Sequence, residues 1–265
     1  DTALFERSGR SVSLTSVGQA LVPLARDLVH RSIGLEEAMA SMAGEVVGLL
    51  DLVCTTTAGK YVLPRVLARF QELHPRVERS CLVVPRDLAL TRLLEDQAHL
   101  GVASVLEAHR GLEYRPFMTD HIELIAPPDH RWVERGKPIS PEQLREEHFI
   151  SREEVSGTTV AVREALAWHD LTPSDLPRSM TLGNSEAIRM AVQEGIGLGF
   201  VSRLVAAESL AAGTLAVVPV EGMTITKTLY MIRNGEVPAA AAAAAFWDFA
   251  FAPENEALLS MPAAD

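Results

Sequence analysis

Short apolar segments alternate with amphipathic ones between residues 49 and 105, and this alternation restricts the fold more than any other feature. Residues 49–54 form an apolar run between polar turns, which is typical of a strand buried on both faces of a parallel sheet. The next stretch has apolar residues at helical spacing from 62 to 73 and is expected to stop before Pro75. Further strands are expected at 79–84 and 100–105, separated by a helix at 88–94. This β-α-β-α-β order predicts a parallel sheet with right-handed crossovers.

A second set of alternating elements follows, and it leaves too little chain for a third unit. Strands are expected at 122–126, 148–151, 180–182, 199–202 and 215–220, with helices at 140–144, 157–168 and 185–194. A strand at 227–232 and an alanine-rich helix at 237–251 end the pattern. Because these two elements cannot form a core alone, we expect them to pack on one of the two units. The predicted fold class is therefore α/β, with two Rossmann-like lobes joined by crossing segments near 117–123 and 222–227.

The first part of the chain predicts a long helix with one apolar seam. Ser16 and Gln19 are spaced as a capping box at its start, although Thr15 could cap the helix instead. Pro23 is expected to bend the helix rather than end it. Apolar residues spaced as a heptad repeat predict pairing with another helix, so we expect dimerisation; the alternative is packing on its own domain. The seam consists of Val17, Leu21, Leu24, Leu28, Leu35 and Met42.

The charge and hydropathy of the chain limit where it acts and on what. A formal net charge of −11 makes most of the surface unsuited to nucleic acid, because binding to DNA gains from cationic side chains. The first 35 residues are closer to neutral, and we expect any DNA-binding part to lie upstream of them. The sequence shows no secretory leader and no apolar run near the roughly 20 residues of a membrane span. We therefore expect a cytoplasmic protein without a membrane partner.

Two cysteines, Cys54 and Cys81, are too few for a disulfide framework and fit a reducing compartment. They fall on strands that are predicted to be neighbours, so the two thiols are expected to come close to each other. We expect two buried structural thiols; the alternative is a redox switch.

Hydroxyl-bearing loops follow one strand in each predicted lobe. Thr55, Thr56 and Thr57 stand where the first parallel strand ends and a helix begins. Residues 156–158, Ser-Gly-Thr, repeat this arrangement in the second lobe. Ligands of open α/β sheets bind at that edge, and helix N-termini with hydroxyls suit a small anion. Two such loops facing one cleft would clamp a small molecule, while simple helix capping is the alternative.

Other patterns that carry chemistry are weak or missing in the sequence. Residues 194–200 resemble a dinucleotide fingerprint, but a helix precedes the glycines and a strand follows, the reverse of what that motif requires. A left-handed Gly195 that ends the helix is the preferred interpretation. The histidines have no metal-ligand spacing, and neither a GxSxG elbow nor a Walker loop occurs. We therefore expect no metal, no cofactor and no enzymatic activity.

Three segments resemble the LysR-type transcriptional regulators. The start, LFERSGR followed by LTSVG, is similar to the end of their winged helix-turn-helix domain leading into a linker helix. TTTAGKYVLPRVLARFQELHPRV resembles the first strand and helix of their effector domain, and GNSEAIRMAVQEGIGLGFVSRLVAAESLAAGTLAVVPV resembles a late part. The resemblance runs in the same order from residue 4 to about residue 235. It implies a bacterial transcription regulator that lacks most of its DNA-binding domain within this sequence.

The resemblance also implies a division of the chain and a set of partners. Residues 1–15 would be a remnant of the wing, 16–46 the linker and dimerisation helix, 47–120 lobe I, 121–223 lobe II, and 224–265 a return segment completing lobe I. The lobes would be of the type II periplasmic-binding-protein kind. Expected partners are operator DNA, a small organic or anionic effector, a second copy of the chain in a homodimer or homotetramer, and RNA polymerase. A solute-binding protein of a transporter is the first alternative, and an enzyme with an interlobe active site is the second.

Carried over by position, the resemblance assigns functional residues. Arg7 and Arg10 on the wing would contact DNA, at phosphates rather than bases. Effector contacts would fall in the cleft at Thr55, Thr56, Thr57, Ser104, Ser156, Gly157, Thr158, Phe200, Val201 and Ser202.

Overall fold

A computed structural model describes residues 2–9, 11–42, 45–104 and 108–259. Its strands are β1 (Phe5–Ser8), β2 (Ser11–Leu14), β3 (Gly48–Cys54), β4 (Val77–Val83), β5 (Leu100–Ser104), β6 (Leu112–Ala126), β7 (Phe149–Ser151), β8 (Arg178–Thr181), β9 (Leu198–Ser202), β10 (Ala216–Val217) and β11 (Ile225–Asn234). Its α-helices are α1 (Ser16–Met42), α2 (Leu63–Leu73), α3 (Arg86–Leu94), α4 (Arg131–Glu134), α5 (Gly157–Ala167), α6 (Ser185–Gln193), α7 (Arg203–Ala211), α8 (Ala241–Ala250) and α9 (Glu256–Leu259). A π-helical turn covers Ala58–Val62, and 3-10 turns cover Pro141–Glu146, Pro173–Asp175 and Pro253–Asn255.

The N-terminal hairpin and the long helix α1 stand apart from the main sheet. β1 and β2 pair antiparallel, with Phe5 opposite Leu14. The Thr15 hydroxyl accepts a hydrogen bond from the Gly18 amide at 3.0 Å, so Thr15 caps α1, the alternative to the box at Ser16. Helix α1 is long, as predicted, and Pro23 lies inside it. Within the described part of the chain, no helix is both long and apolar enough to cross a membrane.

The apolar seam of α1 faces solvent in the single chain. The exposed fraction is 46% at Val17, 40% at Leu21, 68% at Leu24, 70% at Leu28 and 65% at Leu35. The packing of Met42 lies outside the described features. Exposure of this size along most of the seam favours a helical partner, although α1 also contacts α8 of lobe I and dimerisation itself stays a prediction.

Lobe I is built on the parallel strands that the sequence predicts. β3 pairs in parallel with β4 on one side and β5 on the other. Leu50, Leu52 and Cys54 on β3 are fully buried, because helices cover both faces of the sheet. Helix α2 ends at Leu73, and its C-cap His74 directly precedes Pro75, so the helix stops before the proline as the sequence predicts.

Two long antiparallel strands carry the chain between the lobes. β11 pairs with β5 of lobe I and along most of its length with β6, which continues into lobe II and pairs with β9. β6 extends well beyond the predicted strand at 122–126. In its first half the alternation is broken, because Arg115 and Pro116 are both exposed and Phe117 and Met118 are both buried, where the pairing with β11 shifts register. A proline at such a bulge hides a strand from sequence patterns.

One continuous sheet therefore runs through both lobes. Nine strands of the described ranges form it, in the order β4-β3-β5-β11-β6-β9-β7-β8, with β10 paired to β6. In lobe II, β7 is parallel to both β8 and β9. Helix α6 ends at a left-handed Gly195, with φ of 72°, which confirms the preferred interpretation of the glycine segment.

Two expectations for the end of lobe II are wrong. Helix α7 was not predicted, and it begins where the Ser202 hydroxyl accepts a hydrogen bond from the Leu204 amide at 3.2 Å. The strand expected at 215–220 is only the two residues of β10. The Leu215 amide donates to the Ser209 carbonyl instead of a strand, and although the Val218 amide still donates to Leu124 of β6 at 2.9 Å, the next residue, Pro219, has no amide to continue the ladder.

The alanine-rich helix α8 returns to lobe I. Its Phe246 and Phe249 meet Phe70 of α2 edge-on, with ring centroids 5.1 and 5.3 Å apart. The helix begins at Ala241 rather than near 237, after Pro238. The core of lobe I thus combines residues from both ends of the effector-domain sequence.

Candidate functional site

A cavity of about 270 Å³ lies between the two lobes. Lobe I contributes lining residues at the ends of β3, β4 and β5. Lobe II contributes the loop before α5, and β11, which crosses between the lobes, contributes two residues. The lining includes Thr55, Thr56, Thr57, Val83, Pro85, Arg86, Asp87, Ser104, Arg152, Glu153, Ser156, Gly157, Thr158, Lys227 and Leu229. We call this space the interlobe cavity.

Helix N-termini converge on the interlobe cavity from both lobes. Thr57 precedes the π-helical turn, Pro85 precedes α3 and Ser156 precedes α5. The Ser156 hydroxyl caps its helix by accepting from the Thr158 amide at 3.2 Å, so the capping interpretation holds there. Thr57 makes no such capping bond. Amide groups and the positive ends of helix dipoles at one cavity favour an anion.

Each cation of the cavity has a carboxylate neighbour. Arg86 is 2.7 Å from Asp87, and Arg152 is 2.5 Å from Glu153. In the part of the chain that the structure describes, the buried Nη1 of Arg86 has no hydrogen-bond partner. That nitrogen is a donor directed at no protein group, and such donors are costly unless a ligand or water satisfies them.

Lys227 reaches the cavity from the crossing strand. Its Nζ lies 3.2 Å from Asp120 Oδ2 and donates a hydrogen bond to Thr158 Oγ1 at 3.1 Å. Burial lowers the pKa of Lys227, and the Asp120 carboxylate acts in the opposite direction. The Lys227 ammonium therefore joins β6 and β11, which we call the hinge strands, to the first turn of α5 in lobe II.

The lobes touch each other on either side of the cavity. A Cβ added at Gly157 of lobe II would lie 2.9 Å from Ser104 Cβ of lobe I and closer still to the Ser104 hydroxyl. Lys60 of lobe I forms an ion pair with Glu186 of lobe II at 2.8 Å. The arrangement is therefore closed at these two points, and only glycine fits at position 157 in it.

The structure brings together most of the residues that the sequence singled out. Thr55, Thr56, Thr57, Ser104, Ser156, Gly157 and Thr158 all line the interlobe cavity. Their contact with an effector stays a prediction.

Phe200, Val201 and Ser202 do not line the interlobe cavity, and their placement there was wrong. They belong to β9, a central strand, where Phe200 stacks on Phe149 with centroids 5.9 Å apart and Val201 is fully buried. The buried Ser202 hydroxyl donates to Asp120 at 2.6 Å. Ser202 therefore orients the carboxylate that pairs with Lys227 and does not meet the cavity itself.

Sequence reasoning missed the charged residues of the cavity. Arg86 follows the second parallel strand, so the strand-end rule that found Thr55 would also have found it. Arg152 follows β7 in the same way. Lys227 had no such signal, because it lies within a strand and reaches the cavity through the pairing of β11 with β6.

The two cysteines touch, as predicted, with sulfurs 3.6 Å apart. Cys54 is buried, but Cys81 is exposed, since β4 is an edge strand, so the prediction of two buried thiols is wrong. The hydrogen bond with Cys81, together with burial, raises the pKa of Cys54, and the same bond lowers the pKa of Cys81.

The remaining predicted sites are less defined. Arg7 is exposed on β1, and Arg10 lies outside the described residues. Among the residues with a described position, no group of three or more His, Cys, Asp or Glu could hold a metal ion.

Residues 43–252 match the family described as the LysR substrate binding domain. The chain is 32% identical to the HTH-type transcriptional activator CmpR of Synechocystis sp. over 95% of its own length and 81% of that protein. It is 28% identical to the RuBisCO operon transcriptional regulator of Acidithiobacillus ferrooxidans, covering 94% and 79%. Among solved structures, the Synechocystis PCC6803 CcmR regulatory domain in complex with 2-PG is similar, with a TM-score of 0.70 and 27% identity over 82% of this chain and 100% of that one.

Proposed function

The chain belongs to the LysR-type transcriptional regulators, and on that premise we propose that it senses a small anion in the interlobe cavity. The observation that carries this proposal is the convergence of helix N-termini from both lobes, with the buried donor Nη1 of Arg86, on one cavity. Regulators of this family bind a small effector in the cleft between their lobes. The helix ends and the unsatisfied Arg86 donor support a negative charge on this effector.

The proposed contacts divide between the two lobes. The hydroxyls of Thr55, Thr56 and Thr57 and the Arg86 guanidinium would bind the anion from lobe I. The loop before α5, residues 156–158, would bind it from lobe II, with Lys227 beside it. An anion held from both sides favours the closed arrangement, and a ligand shifts an equilibrium only through such differential affinity. Coupling of about 1–3 kcal/mol is typical of such switches.

We also propose how the sensor reaches DNA. The seam of α1 would pair with a second copy in a homodimer or homotetramer, so that lobe closure changes the spacing of the DNA-binding parts. Arg7 and Arg10 would contact operator phosphates. RNA polymerase is a further proposed partner, and the cytoplasm is the compartment where such a regulator meets DNA. We assign it no enzymatic step.

Isothermal titration calorimetry with 2-PG, inorganic phosphate and sulfate tests the anion proposal. At least one of them is expected to bind once per protomer, with affinity that falls as salt rises. Thr57→Val keeps the side-chain shape and removes the hydroxyl, so it is expected to weaken binding about tenfold or more, because a hydrogen bond to a charged group contributes about 1.5–3 kcal/mol. Thr226→Val is the matched control, since Thr226 is exposed and does not line the cavity. Equal affinity of both variants would remove Thr57 from the site, and no binding of any of the three anions would contradict the proposal.

A further inference from the structure

A second cavity, of about 310 Å³, lies within lobe II. It is lined by neither of the two contacts between the lobes, Gly157–Ser104 and Lys60–Glu186. It is bounded by α5, by β7 and β8, and by the turn Pro173–Asp175. We propose that this lobe II cavity is a binding site for an arylalkyl monocarboxylate, a ligand different from the anion of the interlobe cavity. Its volume is at the lower end of the roughly 300–1,000 Å³ usual for small-molecule sites.

The inner surface of the lobe II cavity is apolar and partly aromatic. Phe149 and Phe200, which both line it, stack with an interplanar angle of 9°. Val162 and Leu166 of α5 and Leu176 complete this surface. A flat aromatic group is the occupant that such a lining accommodates with the most contact.

The rim of the cavity is cationic. Arg163 and Arg178 line it and are exposed, and in the described ranges neither guanidinium group forms a hydrogen bond or an ion pair with the protein. Glu154 is the opposing charge at this rim, and the pair Arg152–Glu153 is internally neutral. Guanidinium groups bind carboxylates in a bidentate manner, so one carboxylate matches the rim. In the proposed ligand a short alkyl spacer joins the ring on the apolar surface to the carboxylate at the rim.

The lobe II cavity shares a wall with the interlobe cavity. Arg152, Glu153 and Thr158 line both. Thr158 accepts the hydrogen bond of Lys227, so an occupant that moves the first turn of α5 changes the contact between lobe II and the hinge strands. Occupancy of the lobe II cavity is therefore expected to change affinity in the interlobe cavity, and by reciprocity the anion changes affinity for the carboxylate.

Binding of 3-phenylpropionate to the purified chain, followed by calorimetry, tests this site. One molecule is expected to bind per protomer. The neutral 3-phenylpropionamide is expected to bind with an affinity at least about tenfold lower. The double variant Arg163→Gln/Arg178→Gln is expected to lose about tenfold in affinity for the acid. Both arginines are exposed, so the variant is expected to fold. Arg110→Gln, another exposed arginine away from the cavity, is expected to bind like the parent.

The outcomes separate this proposal from the anion proposal. Thr57→Val is expected to leave binding of 3-phenylpropionate unchanged, whether or not the chain binds phosphate, sulfate or 2-PG. No binding at millimolar acid, equal binding by the double arginine variant, or loss of binding in Thr57→Val would each overturn the assignment to the lobe II cavity.

Discussion

The contact between Gly157 and Ser104 allows the closed arrangement of the lobes to be tested by one substitution, Gly157→Ala. Its effect on stability is expected to be destabilising when Ser104 is present and neutral or stabilising when the Ser104 side chain is removed. Gly157→Ala adds a Cβ that would lie 2.9 Å from Ser104 Cβ and nearer to the hydroxyl, so rotating the hydroxyl does not remove the overlap. Overpacking of this kind costs about 1–3 kcal/mol. Against it stands the helix preference of alanine over glycine, which is at most about 1 kcal/mol and smaller at the first residue of a helix.

The overlap is therefore expected to dominate. Gly157→Ala should lower the free energy of unfolding by about 0.5–2 kcal/mol, from the difference between these two effects. At about 2–4 °C per kcal/mol for a chain of this size, the melting temperature should fall by roughly 1–8 °C. If the lobes open to relieve the overlap, affinity for an interlobe anion falls as well.

A double-mutant cycle in urea isolates the contact. In a Ser104→Gly background there is no side chain for the new methyl group to meet, so Gly157→Ala should be neutral or slightly stabilising. The coupling between the two positions should reach about 1–3 kcal/mol. If Gly157→Ala has the same effect in both backgrounds, the lobes do not approach each other there in solution and the closed arrangement is wrong.

Other features make further predictions. Leu24→Glu with Leu28→Glu should abolish self-association measured by sedimentation, because it places charges on the exposed seam. Lys227→Met should cost about 3–5 kcal/mol in urea unfolding, since it leaves the fully buried Asp120 unpaired, and adding Asp120→Asn should recover part of the loss. Hydrogen bonds from Thr172 lower the pKa of Asp175, so its stabilisation is present above the unfolded-state pKa of about 3.9 and is lost as the pH falls through the folded value. Asp175→Asn should therefore be less stable than the parent at neutral pH, with the difference vanishing in acid.

Each of these has a result that contradicts it. An unchanged sedimentation coefficient for the two leucine variants together would mean that α1 does not mediate assembly. Equal stability of Lys227→Met and the double variant would mean that the carboxylate is not left unpaired. A difference for Asp175→Asn that persists undiminished in strong acid would place its origin elsewhere.

The sequence predicts local elements well wherever one physical signal decides them. Helix α2 has an unbroken apolar stripe and a proline just beyond its end, so its extent could be predicted. The strand-end loops at Thr55 and Ser156 could be predicted as cavity residues because parallel strands place their ends at one edge of a sheet.

What depends on tertiary pairing could not be predicted in this way. The first half of β6 exists because β11 lies beside it, and the pattern around Pro116 shows no strand by itself. Phe200 was predicted to face the cleft between the lobes, but its ring packs inside lobe II, where it stacks on Phe149, a residue distant in sequence. Lys227 enters the cavity only through the pairing of the crossing strands.

The continuous sheet also sets the order in which the chain can fold as it is synthesised. Lobe I needs Met231 on β11 and Phe246 on α8 to complete its core, whereas the core of lobe II lies between residues 122 and 225. At about 5–20 residues per second, those residues take on the order of ten seconds to emerge from the ribosome. During that interval β3, β4 and β5 of lobe I lack their neighbour β11, and their apolar surface is exposed. Lobe II, although second in the sequence, is thus the first lobe that a nascent chain can finish, and a chain that stops before β11 leaves the core of lobe I incomplete.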